Sequence, residues 1–334
     1  CEEGWFDPSA AERSAGIEPL SGIMDTGGRS GQLHYLCYDS AKFDAIREQG
    51  ATATFRGAIV ISHGFTEFAE KYDELVWYFL LAGYSVCVLE HRGHGKSARD
   101  VDNRCMVWID DWQRYVADLA GFAETIGQQY AAGMPLNLFC HSMGGGIGAA
   151  VMEHYPSLFD KAVLSAPMIA PVVGMPTWIA RIATGALCGL GFGKARVFGH
   201  TDFSPELDLD EHKGASEARV RWFHKQRVDD VACQTNAATF EWAHQAMALS
   251  RAVLKPDMCG AIETPTLLFQ AGRDVWVLNG PQDDFVERVR EGGGSIEKIR
   301  YGKSLHEIFS MPNTVVGPYV DNILDFLSAP ADSL

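Results

Sequence analysis

Pro135-Leu136-Asn137-Leu138-Phe139-Cys140-His141-Ser142-Met143-Gly144-Gly145-Gly146-Ile147-Gly148-Ala149-Ala150 is the stretch whose reading decides the fold. An apolar run too short for a helix ends at Ser142, and a glycine- and alanine-rich segment with helical spacing follows at once. The serine therefore stands on a sharp strand-to-helix turn. Such a turn strains the central residue and is tolerable only where the residues two positions either side are small. Gly144 meets that demand on one side. On the other side stands Cys140, which is small enough to fit but brings a thiol close to the serine. The same geometry pushes the Ser142 hydroxyl out at the N-terminus of a helix, where a reacting group can meet it.

Working outward from that turn, Gly57–Ser62 and Tyr84–Leu89 read as short buried strands. The first runs into His63-Gly64-Phe65 and then a helical pattern over 71–82. The second runs into Glu90-His91-Arg92-Gly93-His94-Gly95-Lys96-Ser97, and an amphipathic helix over 111–130 leads to the turn itself. Strand and helix alternating at this spacing predict an α/β class, a mostly parallel sheet flanked by helices on both faces. After the strand Lys161–Ser165 the alternation stops. Residues 167–255 are helical in pattern and rich in aromatic residues and methionine, and the alternation then resumes with strands over 266–270 and 295–300 and helices over 282–290 and 315–327. A structureless loop of that length is rare, so we expect a core of 31–166 and 256–334 with a helical cap, 167–255, inserted in it. Residues 1–30, mixed in Pro, Gly, Ser and acids, read as an irregular leader.

Composition narrows the partners. A net charge of −15 argues against nucleic acid, which needs clustered Lys and Arg, and suits a neutral or zwitterionic small molecule better. None of the eight cysteines forms a C-x-x-C pair, and several sit inside apolar runs, so they read as buried reduced thiols. The most apolar long segment, 168–193, is broken by Pro171, Pro176 and Arg181, which suits an interfacial segment more than a span and leaves room for peripheral membrane contact through the cap. The expected location is cytoplasmic or membrane-peripheral. It becomes a cell-envelope lipoprotein if Cys1 is a true mature N-terminus.

A serine hydroxyl needs a base within hydrogen-bond reach and an acid to orient that base. On a turn of this type the partners follow in the order Ser, acid, His. Asp274 follows the strand over 266–270 in Ala271-Gly272-Arg273-Asp274, and His306 follows the last strand in Ser304-Leu305-His306-Glu307. Both fall at the edge where parallel sheets place their sites. Asp274 alone could be a turn residue and His306 alone a helix cap; order and position together make them a triad with Ser142. Asp283 and Asp284 are the rival acids but lie in or near a helix. The oxyanion would be held by the backbone N–H of Met143 and, from the loop after an earlier strand, that of Phe65. His63, His91, His94 and His141 lack a metal-ligand spacing, and neither a metal nor a cofactor is expected.

Taken jointly, Ser62-His63-Gly64-Phe65-Thr66-Glu67, Glu90-His91-Arg92-Gly93-His94-Gly95-Lys96-Ser97, His141-Ser142-Met143-Gly144-Gly145 and Ser165-Ala166-Pro167-Met168 resemble the lysophospholipase and monoglyceride lipase branch, serine aminopeptidase-like, of the α/β-hydrolases. The resemblance runs from about residue 31 to near the end and departs at Cys140 and Glu90. It implies an α/β-hydrolase fold with Ser142 as nucleophile, His306 as base, Asp274 as acid and the Phe65 and Met143 N–H groups as oxyanion hole. The implied activity is cleavage of a carboxylic ester through an acyl-Ser142 intermediate, on a lysophospholipid or monoacylglycerol. A peptidase or amidase on the same scaffold, or a binding protein without turnover, are the alternatives. Met168 and Trp178, among the apolar residues of the cap, would meet the acyl chain, or else merely pack the cap on the core.

Overall fold

A computed structural model describes residues 1–20, 22, 30–42 and 54–330. Its frame is an eight-stranded sheet in the order β1-β2-β4-β3-β6-β7-β9-β10. The strands are β1 (Glu2–Phe6), β2 (Leu33–Tyr38), β3 (Gly57–Ser62), β4 (Tyr84–Leu89), β6 (Leu136–His141), β7 (Lys161–Ser165), β9 (Thr266–Ala271) and β10 (Ile296–Tyr301). The two-residue strands β5 (Met106–Val107) and β8 (Ala237–Ala238) pair with each other outside it. Along the sheet from β4 to β10 every pairing is parallel, and β2 runs antiparallel to both of its neighbours, β1 and β4. The α/β-hydrolase expectation is met.

Strands β3, β4, β6, β7 and β9 are buried along their whole length, which is why they read as unbroken apolar runs rather than as alternation. The helices α1 (Ser9–Ser14), α2 (Asp73–Leu81), α3 (Gln113–Phe122), α4 (Met143–His154), α8 (Asn279–Glu291) and α9 (Asn313–Ser328) flank the sheet. Two apolar clusters result, one on each face: Leu138, Ile147 and Leu268 in the first, Ile61, Phe139 and Phe269 in the second. Neighbouring residues of one strand fall in opposite clusters, as the two-residue pleat requires.

Between β7 and β9 lie three longer helices, α5 (Thr177–Leu187), α6 (Glu217–Asp229) and α7 (Phe240–Val253). Helix α7 packs on both α5 and α4, so this segment rests on the helix that begins at Ser142. Among the described residues no helix is long and apolar enough to cross a membrane.

The expectation of an irregular leader needs correction. Residues 2–6 pair with β2 from Glu2↔Cys37 to Phe6↔Leu33, and α1 follows. Glu12 of α1 is fully buried, with Oε1 accepting from Arg92 (3.0 Å) and Arg114 (2.8 Å). An edge strand tolerates charge on its open side, so β1 carries little pattern of its own. The two arginines that hold α1 stand far away in sequence. Residues 21 and 23–29 of that stretch lie outside the described residues.

Candidate active site

Ser142 lies between the last residue of β6 and the first of α4, with φ 51° and ψ −118°. That conformation costs about 1–3 kcal/mol for a non-glycine residue and persists only where the surroundings overdetermine it. Here they do. The Ser142 N–H donates to Ser165 O (3.1 Å), while Ser142 O accepts from the N–H groups of Gly145 (2.8 Å) and Met168 (2.7 Å). A Cβ on Gly144 would lie 2.1 Å from Ser62 O, so the helix can approach β3 only because that atom is missing. Cys140 is fully buried, and its thiol occupies the space that Gly148 leaves open; a Cβ there would meet its Sγ at 2.4 Å. Burial pushes the Cys140 thiol well above its ordinary pKa. It is packing, not a second nucleophile.

The loops after β9 and β10 bring Asp274 and His306 together. His306 Nδ1 lies 2.6 Å from Asp274 Oδ2, and Asp274 Oδ1 accepts from the N–H groups of Trp276 (2.9 Å) and Val277 (3.0 Å). Burial raises the Asp274 carboxyl, but the His306 hydrogen bond and charge and these two N–H groups outweigh it and hold the carboxyl below its usual range. The rival acid Asp283 instead accepts from Gln270 Nε2 (2.9 Å) and pairs with Lys298. On the other side of His306 its ring faces that of His141, centroids 4.8 Å apart, and His141 precedes Ser142 in the chain. Among the described residues Ser142 Oγ makes no hydrogen bond; such bonds are often loose in a free enzyme and tighten on substrate.

The loop after β3 faces the same serine. A Cβ on Gly64 would lie 3.0 Å from Ser142 Cβ. The Gly64 N–H is taken by Glu67 Oε2 (2.6 Å), which leaves the next N–H, that of Phe65, without an acceptor among the described residues. The N–H of Met143, first in α4, is equally unspent, as helix N-termini are. Phe65 is held from outside by the rings of Trp242 on α7 (4.1 Å between centroids) and His94 (5.7 Å).

Two further groups emerge only in three dimensions. Lys71 Nζ, buried, bridges Glu67 Oε1 and Glu307 Oε1 at 2.6 Å each, so one ammonium ties the Gly64 loop to the loop that carries His306. Burial penalises each of these charges, yet the pairing keeps Glu67 and Glu307 below, and Lys71 above, their usual ranges. The signal in sequence was a carboxylate three residues after Gly64. Its partner Glu307 gave none. His63, His91 and His94 cluster behind the loop, with rings 4.7 and 5.1 Å apart. Their nitrogens serve the scaffold, His91 Nε2 on Ser62 Oγ (2.8 Å) and His63 Nε2 on the His91 N–H (2.9 Å).

The two residues expected to meet an acyl chain fall apart in space. Met168 is buried in the core beneath the turn, whereas Trp178 on α5 is 64 % exposed. A cavity of about 620 Å³ lies between α2, α6 and the start of α9, walled by Lys71 and Phe309, and Ser142 does not line it. Chemistry, not cavity size, locates the site.

Residues 53–313 match the model of the family described as serine aminopeptidase, S33. The chain belongs to that family. Lysophospholipase L2 of Escherichia coli is 28 % identical over 287 residues, covering 81 % of this chain and 80 % of that one. Mouse monoglyceride lipase is 34 % identical over 120 residues, 35 % of this chain and 37 % of its own. Among solved structures, a soluble variant of monoglyceride lipase from Saccharomyces cerevisiae superposes with a TM-score of 0.66 at 20 % identity, covering 89 % and 91 % of the two chains, which speaks for the fold alone.

Proposed function

We propose that this S33-family chain hydrolyses the carboxylic ester of a single-chain lipid, a lysophospholipid or a monoacylglycerol, with Ser142, His306 and Asp274 as its triad. In the first half-reaction Ser142 Oγ attacks the ester carbonyl while His306 Nε2 takes its proton. Asp274, ionised and bonded at Nδ1, fixes the tautomer that leaves Nε2 free to do so and stabilises the imidazolium. Negative charge then gathers on the former carbonyl oxygen, where the unspent Phe65 and Met143 N–H groups meet it. As the intermediate collapses, His306 returns the proton to the leaving alcohol. Water, activated by the same imidazole, releases the fatty acid from Ser142 in the second half. No step calls on a cofactor.

The observation that carries this reading is the strained Ser142 at the N-terminus of α4, facing Gly64, with a paired Asp274–His306 beside it. Relatives named lysophospholipase and monoglyceride lipase support the substrate class. Residues 167–255 act as a cap in this proposal, with Val172, Met175 and Trp178 exposed toward acyl chains, Met168 supporting the floor, and the outer face in peripheral contact with a membrane. The family's description favours a second reading, cleavage of an N-terminal amide on the same triad.

The test is labelling by a fluorophosphonate followed by turnover of lysophospholipids, monoacylglycerols and aminoacyl amides. Ester turnover that falls at least about 10⁴-fold in Ser142→Ala is expected. Amide turnover without ester turnover supports the second reading, and an unlabelled, inert protein supports a non-catalytic role.

A further inference from the structure

In a chain with a net charge of −15, residues 161–201 contain no Asp or Glu at all. Helix α5 lies inside that stretch. Its residues Trp178, Arg181, Ile182 and Gly185 are spaced three, four and seven apart and so share one face. On α7, His244, Ala248, Arg251 and Ala252 share another, with Lys255 just beyond the helix end. The two faces enclose a groove of about 510 Å³ lined by Trp112, Arg181, Ile182, His244, Arg251 and Lys255 together with small residues, and by no carboxylate.

Other basic residues of this region are occupied. Lys194 donates to Asp100 O (2.7 Å) and Arg196 pairs with Asp202. Among the described residues Arg181, Arg251 and Lys255 make no ion pair and no side-chain hydrogen bond. Of the nearby acids, Asp257 follows Lys255 by two residues without pairing with it, and Glu153 is mostly buried, its carboxyl pushed up to about 9 by that burial and by Asp257. His244, on the groove wall, has Nδ1 held by Thr184 Oγ1 (3.1 Å), and its Nε2 has no hydrogen-bond partner among the described residues. Beside these cations, Ile182 and Trp178 are 61 % and 64 % exposed. Three uncompensated cations around a concave floor, flanked on one helix by exposed tryptophan and isoleucine, match the chemistry of a phosphate held at the surface of a hydrocarbon layer.

We propose that the groove between α5 and α7 docks the phosphate headgroups of an anionic phospholipid bilayer. This rests on the reading of the cap as the membrane-facing layer and gives it a lipid class. The rest of the protein, being acidic, is repelled by such a surface. The groove therefore sets which face turns toward the bilayer, with Trp178 and Ile182 entering beside it.

The experiment is cosedimentation of the full chain with vesicles of phosphatidylcholine alone and of phosphatidylcholine mixed with phosphatidylglycerol, at low and high salt. Preference for the phosphatidylglycerol vesicles, lost at high salt, is expected. The triple variant Arg181→Gln, Arg251→Gln, Lys255→Gln should lose about fivefold in that partitioning per cation, on the order of a hundredfold in all, with binding to phosphatidylcholine unchanged. Equal binding to both vesicles, or a triple variant that keeps the preference, overturns the proposal. Release of the protein by millimolar inorganic phosphate or glycerol phosphate also overturns it, because the groove is then a site for soluble anions. Turnover of a soluble short-chain ester is measured in parallel. It should be the same in wild type and triple variant, and its absence from both would refute the ester-hydrolase reading while leaving the vesicle result to stand by itself.

Discussion

The turn around Ser142 and the outer face of α5 are built to opposite rules. Around Ser142 every neighbouring residue from β6 to the start of α4 is buried, the Ser142 N–H and carbonyl both have partners, and glycines stand where any larger residue would collide. On α5 only Ala180 is buried, and large apolar side chains face outward. A strained residue has to be held by contacts on all sides, since nothing else repays the strain. A surface of exposed apolar side chains has no such internal contacts, and those side chains gain partners only when something covers them. The contrast tells which substitutions the protein will feel.

The largest effect should follow from the acid. Asp274→Asn keeps the shape of the site but favours the wrong imidazole tautomer, and kcat is expected to fall about 10⁴-fold with little change in KM. Steady-state kinetics on a short-chain ester checks this, and a loss under tenfold would remove Asp274 from the triad.

A matched pair of glycine substitutions sharpens the contrast in stability. Gly144→Ala drives a methyl into Ser62 O and should destabilise by about 1–3 kcal/mol or prevent folding. Gly189→Ala, just beyond α5 with nothing within 4 Å of the added carbon, should be neutral or stabilising by up to about 1 kcal/mol. Urea midpoints of the two variants measure the difference, and similar values would mean that the turn is not tightly packed.

A smaller, graded effect should come from pH. Burial lowers His63, His91, His94 and His141, His141 to about 4, although Glu67 opposes the shift at His141. A histidine depressed in the folded state takes up its proton first in the unfolded chain. Its contribution is complete above about pH 6.5 and is lost as pH falls toward 4, with a slope of about 1.4 kcal/mol per unit for each such group. Unfolding free energies at pH 7.5 and 5 should therefore diverge, and His141→Asn should remove about one group's share of that slope. Equal slopes in variant and wild type would show that His141 is already hydrated.

Much of this was legible before any coordinates. The strand ending at Ser142, the small residues around it, and the positions of Asp274 and His306 after their strands depend on local pattern and chain order, which a parallel sheet turns directly into proximity at one edge. Glu307 was opaque because its meaning lies in Lys71, 236 residues away. Glu12 was opaque for the same reason, its partners Arg92 and Arg114 being 80 and 102 residues off. Trp242 carries no mark of its contact with Phe65, since an aromatic residue in an amphipathic helix reads as packing.

The amino-acid sequence alone determined the class of fold and placed Ser142, Asp274 and His306 on the turns after their strands, because hydrophobic period and turn chemistry act over a few residues. Tertiary structure alone decided that the Cys140 thiol turns into the helix, that one buried lysine joins the loops carrying Gly64 and His306, and that three cations of an acidic protein line one groove. Each of these depends on distances between residues remote in the chain, and such distances exist only once the chain has closed on itself.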